Sequence, residues 1–125
     1  MKVFVYWNLH RGLWSVKALE GPDKGRVIDR VSEILLTDVE GKVSEAGRQR
    51  VLRERRKNVH AGIVGTWNVT RYRNQTDIEC ALEDVGDRIT YNPYKYREFV
   101  HTVDESPFEG SAYALLTADR AVFVA

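Results

Sequence analysis

The 125-residue chain has one cysteine, three prolines and no apolar run approaching the roughly 20 residues a membrane span needs. A lone Cys80 rules out an intramolecular disulfide and a thiolate-rich zinc site, which fits a reducing, cytoplasmic address better than a secreted one. Cys80 itself reads as a small buried hydrophobe. The apolar start Val3-Phe4-Val5-Tyr6-Trp7 meets Asn8, His10 and Arg11 too soon to be a signal-peptide core. Internal repeats, low-complexity tracts and linkers are also missing, so residues 1–125 read as a single domain of ordinary globular composition.

Ligand motifs are equally scarce. No His-x-x-x-His, Cys-x-x-Cys or Asp-x-Asp spacing occurs, so neither a metal nor a cofactor is expected. Gly21-Pro22-Asp23-Lys24-Gly25 places a lysine between glycines without the length or the Ser/Thr of a phosphate-binding loop, and reads as a turn in which Gly25 takes a positive φ. There is no Gly-x-Ser-x-Gly elbow, and Cys80 has no neighbouring base.

What the chain does have is β-type patterning. Val3 to Trp7 and Leu13 to Leu19 flank Asn8-Leu9-His10-Arg11-Gly12 and predict an antiparallel hairpin. Further strands are expected at Arg26 to Val31, Ile34 to Val39 (closed by a Glu40-Gly41 turn), Val59 to Val69, Arg88 to Tyr91, Phe99 to Val103, Tyr113 to Thr117 and Ala121 to Val124. Arg71 to Thr76 reads as a loop, and Ile78 to Val85 fits a short helix or a strand equally well. One helix is definite: Ser44 caps it, Glu45 suits its first turn, and the basic residues 55–57 suit its last, giving Glu45 to Lys57 with Val51 and Leu52 as the apolar anchors. The fold class is α+β, a twisted antiparallel sheet with a basic helix packed on it.

The net charge of +1 conceals a separation of sign. Residues 42–57 hold seven basic side chains against two acidic, whereas residues 77–88 hold five acidic against one basic. Arg48, Arg50, Arg53, Arg56 and Lys57 are the candidate phosphate contacts, arginine being suited to bidentate contact with phosphate; a solvated helix face balanced by the acidic segment is the plainer explanation. Tyr91-Asn92-Pro93-Tyr94-Lys95-Tyr96-Arg97 interleaves rings and cations, and Tyr94 and Lys95 join the candidate nucleic-acid contacts. Tyrosines beside a proline turn also cap cores routinely. A third arrangement is catalytic: His60, whose neutral form the neighbouring cations favour, as base, Arg53 or Arg56 for the phosphate, and Tyr91 as acid of a metal-independent ribonuclease. His10 and His101 read as surface residues.

Three segments together resemble small uncharacterised proteins of tailed bacteriophages: Asn8-Leu9-His10 with Trp14 to Gly21 and Gly25-Arg26-Val27; Gly47 to Leu52 with Lys57 to Gly62; and Tyr91 to Tyr96. That family supplies a setting, the cytoplasm of an infected bacterium, and no activity to transfer. The expected function is therefore a phage accessory protein that contacts the nucleic-acid phosphate backbone through its basic helix. The alternatives are the ribonuclease built on His60 and an inhibitor whose acidic face engages a host protein.

Overall fold

In the computed structural model, residues 1–67, 86–117 and 122–124 are described. Among these residues nine strands and one helix follow in order as β1 (Lys2–Asn8), β2 (Leu13–Ala18), β3 (Val27–Val31), β4 (Ile34–Val43), α1 (Glu45–Glu54), β5 (Ala61–Thr66), β6 (Asp87–Thr90), β7 (Val100–His101), β8 (Ser111–Leu116) and β9 (Val122–Val124). The strands form one sheet in the order β3-β2-β1-β5-β4-β8-β9-β6-β7, and each pairing is antiparallel. The α+β class holds. The expected loop 71–76 and the ambiguous segment 78–85 lie outside the described residues.

The first hairpin forms as its patterning predicts, with Val3 opposite Ala18 and Asn8 opposite Leu13. Asn8 shapes the turn, its Oδ1 accepting from the backbone N–H groups of His10 and Arg11. Gly25 takes the expected positive φ, +87°. Val3, Val5, Trp14, Val16, Leu36, Ile63, Ala114 and Leu116 line one buried face, joined by Ile89, Val122 and Val124 from the far strands. Leu35, Val64 and Leu115 are buried as well, so β4, β5 and β8 are covered on both faces. Such central strands lose the polar alternation of an edge, as Ile34-Leu35-Leu36 does.

The sheet is curled. Four inter-strand steps separate β2 from β8, roughly 19 Å in a flat sheet, yet the Trp14 indole Nε1–H donates to the Thr117 carbonyl at 2.6 Å. This cross-sheet bond closes one end of a trough whose interior is the core.

Several boundaries differ from expectation: the strand expected at Phe99 to Val103 is only Val100–His101, with a turn at 102–104, and two others bear on the site. β4 does not turn at Glu40-Gly41 but continues to Val43 past a bulge, with Asp38 at φ 50° as the irregular residue. Gly41 serves contact rather than turning: a Cβ there would lie 2.7 Å from the Phe99 ring. The helix stops at Glu54, where Arg55, left-handed at φ 54°, closes it with an N–H to Val51 O bond of 2.8 Å. Its length is limited from the other end. The Ser44 N–H donates to His60 O at 2.7 Å, so residues 55–60 must run back alongside the whole helix. Six extended residues reach about 20 Å and suffice for a ten-residue helix of about 15 Å; a helix continuing to Lys57 would leave three residues to retrace about 20 Å.

The anchors differ too. Val51 is buried but Leu52 only half-buried, and the second anchor is Arg48, 9% exposed. The helix docks chiefly through polar contacts with the chain at 58–60 and 93–96. Gly47 permits this, because a Cβ there would collide with the Cβ of His60. Gly47→Ala, which would favour an isolated helix by about 1 kcal/mol, should instead destabilise this protein by roughly 1–3 kcal/mol through overpacking. Chemical denaturation of the two proteins checks the sign; a stabilised variant would show that the helix does not seat on His60.

Candidate nucleic-acid interface

His60 leads into β5 and Tyr91 leaves β6, and the fold brings these two sequence-predicted residues together. His60 Nε2 lies 2.6 Å from the Tyr91 hydroxyl, with the rings edge-on at 5.4 Å. On its other side, Nδ1 faces the Asn58 backbone oxygen at 3.2 Å and Asn58 Oδ1 at 3.0 Å. The Asn58 amide is oriented by Nδ2 donating to Gly47 O at 3.4 Å. Two acceptor oxygens at Nδ1 place the proton of the neutral imidazole there, leaving Nε2 to accept from Tyr91. Burial pushes the Tyr91 phenol up to about 12, opposed by the charge of Arg48 and assisted by that of Glu45. Tyr91 is thus a donor at neutral pH, and the lone pair a general base would use is occupied by it.

The basic residues divide into two groups. Arg48 is committed internally: Nε donates to the carbonyls of Pro93 (3.1 Å) and Tyr96 (3.0 Å), and a terminal nitrogen pairs with Glu45 at 3.0 Å. Hydrogen bonds from Gln49 and Arg48, together with the charge of Arg48, hold the Glu45 carboxyl below its ordinary range. Arg50 pairs with Glu54 at 2.9 Å along the helix. Arg53, Arg55, Arg56 and Lys57 are exposed and take part in no ion pair among the described residues. Arg56 and Lys57 lie beyond the helix rather than on it, and with Arg50, Glu54 and Asn58 they line a shallow depression of about 470 Å³.

Of the remaining sequence-predicted contacts, Tyr94 is 61% exposed. Lys95 pairs with Glu105 at 2.8 Å, and the Tyr96 hydroxyl donates to the same carboxylate at 2.6 Å. These bonds lower the acidity of Lys95 and hold Glu105 below its usual range. His10 is exposed, and His101 is half-buried in β7 with its ring edge-on to Phe108. Only residues 86–88 of the acidic stretch 77–88 are among those described.

A second concavity, of about 550 Å³, opens at the mouth of the trough. Tyr6, Trp7 and Trp14 from the first hairpin line it, facing Tyr91 and Phe99 from the β6–β7 side, with Arg88 at its wall. Trp7 and Trp14 stand opposite each other in the hairpin and meet edge to face at 5.1 Å; Tyr91 and Phe99 are 5.3 Å apart. The sequence reading missed the tryptophans, although pairing Asn8 with Leu13 necessarily pairs Trp7 with Trp14. Nothing local marks Phe99, which arrives by seating on Gly41.

Tyr91→Phe removes the hydroxyl that His60 accepts. The folded phenol ionises at about 12 rather than at the ordinary 10, so its contribution to stability is complete below pH 10 and is lost as the pH rises to about 12. The variant should lack the phenolate absorbance that develops near pH 12 and should lose less stability across that window. Unchanged absorbance would place the Tyr91 hydroxyl in water.

Among the described residues, no helix is long and apolar enough to cross a membrane, and no group of three or more His, Cys, Asp or Glu could hold a metal ion. No solved structure matches the chain. It is 47% identical over 118 residues to the Gene 82 protein of Mycobacterium phage L5, covering 89% of this chain and 86% of that one. The family model described as Mycobacterium phage L5 gene 82 protein matches residues 1–124. A sheet, helix and cation cluster encoded across that span are accordingly those of a bacteriophage protein, and the chain belongs to the Mycobacterium phage L5 gene 82 protein family.

Proposed function

We propose that this phage protein is an accessory factor that binds nucleic acid through its phosphate backbone. What carries the reading is the exposed set Arg53, Arg55, Arg56 and Lys57, four cations in five residues with no ion pair among the described residues. Arg55 in its left-handed conformation ends the helix and turns Arg56 and Lys57 off its axis, towards the depression they share with Arg50. Long cationic side chains around a shallow concavity suit a polyanion that is held by charge and not by base sequence. Arg48 and Lys95 have internal partners and take no part; Tyr94 is exposed and remains available for stacking.

A metal-independent ribonuclease is the second reading, favoured by the 2.6 Å approach of His60 to Tyr91. For His60 to take a proton from a ribose hydroxyl, the Tyr91 hydroxyl must first leave Nε2. Cleavage of RNA in the presence of EDTA, abolished by His60→Ala in a variant that still folds, is the result that would place this reading first.

Arg53, Arg56 and Lys57 replaced together by Gln should leave the melting temperature nearly unchanged, since the three are exposed. Affinity for a labelled oligonucleotide should fall, and the slope of log K against log salt should flatten by roughly two to three units, near 0.9 for each lost phosphate contact. Equal binding by both proteins would move the interface elsewhere. Failure of the wild type to bind at low salt would remove the nucleic-acid reading.

A further inference from the structure

The aromatic cleft at the mouth of the trough is not needed to hold a phosphate backbone, and it is not filled by the core. Both walls are built of rings in pairs, Trp7 with Trp14 and Tyr91 with Phe99, and neither pair arises from adjacent residues. A volume of about 550 Å³ lies within the range of sites for small ligands. Arg88, Thr90 and Thr102 are the polar residues of its lining, a sparse set beside the rings.

The cleft also adjoins the basic depression. Asn58 lines the depression and Ala61 lines the cleft, so their nearest lining residues in the chain are separated by two residues, a span of at most roughly 11 Å. Between them stands His60, joined to Asn58 on one side and to Tyr91 on the other. From Lys57 to Ala61, the nearest lining residue of the cleft in the chain, is at most roughly 14 Å. A strand of nucleic acid whose phosphates lie over Arg56 and Lys57 thus reaches the edge of the cleft within a few nucleotides.

We propose that the cleft receives an unpaired base of the nucleic acid held at the basic depression, which makes the protein selective for single-stranded over duplex nucleic acid. The inference rests on the nucleic-acid reading and names the form of the ligand. A duplex presents the same phosphates, but its bases are stacked and paired and cannot enter. A base on an aromatic wall stacks whatever its identity, so the selectivity is for strandedness and not for sequence.

The experiment compares a mixed-sequence oligonucleotide, single-stranded and as a blunt duplex, each as DNA and as RNA, at one low salt concentration. Binding is read both by anisotropy of a label and by the protein's own tryptophan fluorescence. Wild type should bind the single strand about ten-fold or more tightly than the duplex, and only the single strand should quench tryptophan emission. Two variants act on the cleft in opposite ways: Trp7→Leu removes a wall, and Ala61→Leu fills the space without removing one. Both should lose the preference for the single strand while keeping wild-type duplex affinity, which the cations supply. If Trp7→Leu fails to fold, Ala61→Leu decides. Equal affinity of wild type for single strand and duplex, without quenching, overturns the base-binding cleft and leaves the basic depression standing. Retention of the preference in Ala61→Leu with the cleft filled also overturns it. Binding of neither form at low salt overturns the nucleic-acid reading and this inference with it.

Discussion

Closure of the trough depends on the indole of Trp14 reaching the carbonyl of Thr117. A nine-stranded antiparallel sheet could lie open, with the first hairpin far from β6 and β7; the 2.6 Å bond from β2 to the end of β8 requires the sheet to bend through four strands. Bending is what lets side chains from both ends of the sheet share one core, so that Val3 and Val16 join the same buried cluster as Ile89 and Val122. It also sets the two aromatic pairs across from one another. Core and cleft are two depths of a single trough, packed solid inside and open where the rings meet solvent.

Where the chain needs a joint between helix and sheet, it uses polar contacts. Arg48, buried beside Val51, satisfies the carbonyls of Pro93 and Tyr96 while pairing with Glu45. A buried guanidinium is costly unless its N–H groups have partners, and here one cation bridges three acceptors from two segments. His60 extends the same joint through Asn58 and Tyr91. Its catalytic appearance in the sequence has a structural counterpart, since both ring nitrogens are occupied in holding the return segment against the helix and the β6 end.

This joint sorts the positive charge. Arg48, Arg50 and Lys95 are drawn into ion pairs, whereas Arg53 stands in the last turn of the helix and Arg55, Arg56 and Lys57 fall where the helix has ended and the chain has yet to rejoin the sheet. In that short return the residues are exposed, and their side chains make no ion pair among the described residues. The strongest local charge in the sequence is therefore displayed by a turn rather than by a helix face, a consequence of the distance between Ser44 and the end of the helix.

The sequence by itself determined the place of most strands, the first hairpin and the helix cap, because alternation, turn residues and a capping hydroxyl act between neighbours. Val3 to Trp7, Leu13 to Leu19 and Ser44 were legible for that reason, as was the clustering of cations at 53–57. The pairing of Trp7 with Trp14 followed from the hairpin and needed only to be drawn out. Tertiary structure alone decided that Gly41 makes room for Phe99 instead of turning the chain, that Arg48 is buried while Arg56 is free to solvent, and that His60 meets Tyr91. Each of these is a contact between residues at least 31 positions apart or a burial that such contacts produce, and no local pattern encodes a distance closed only by the curl of the sheet.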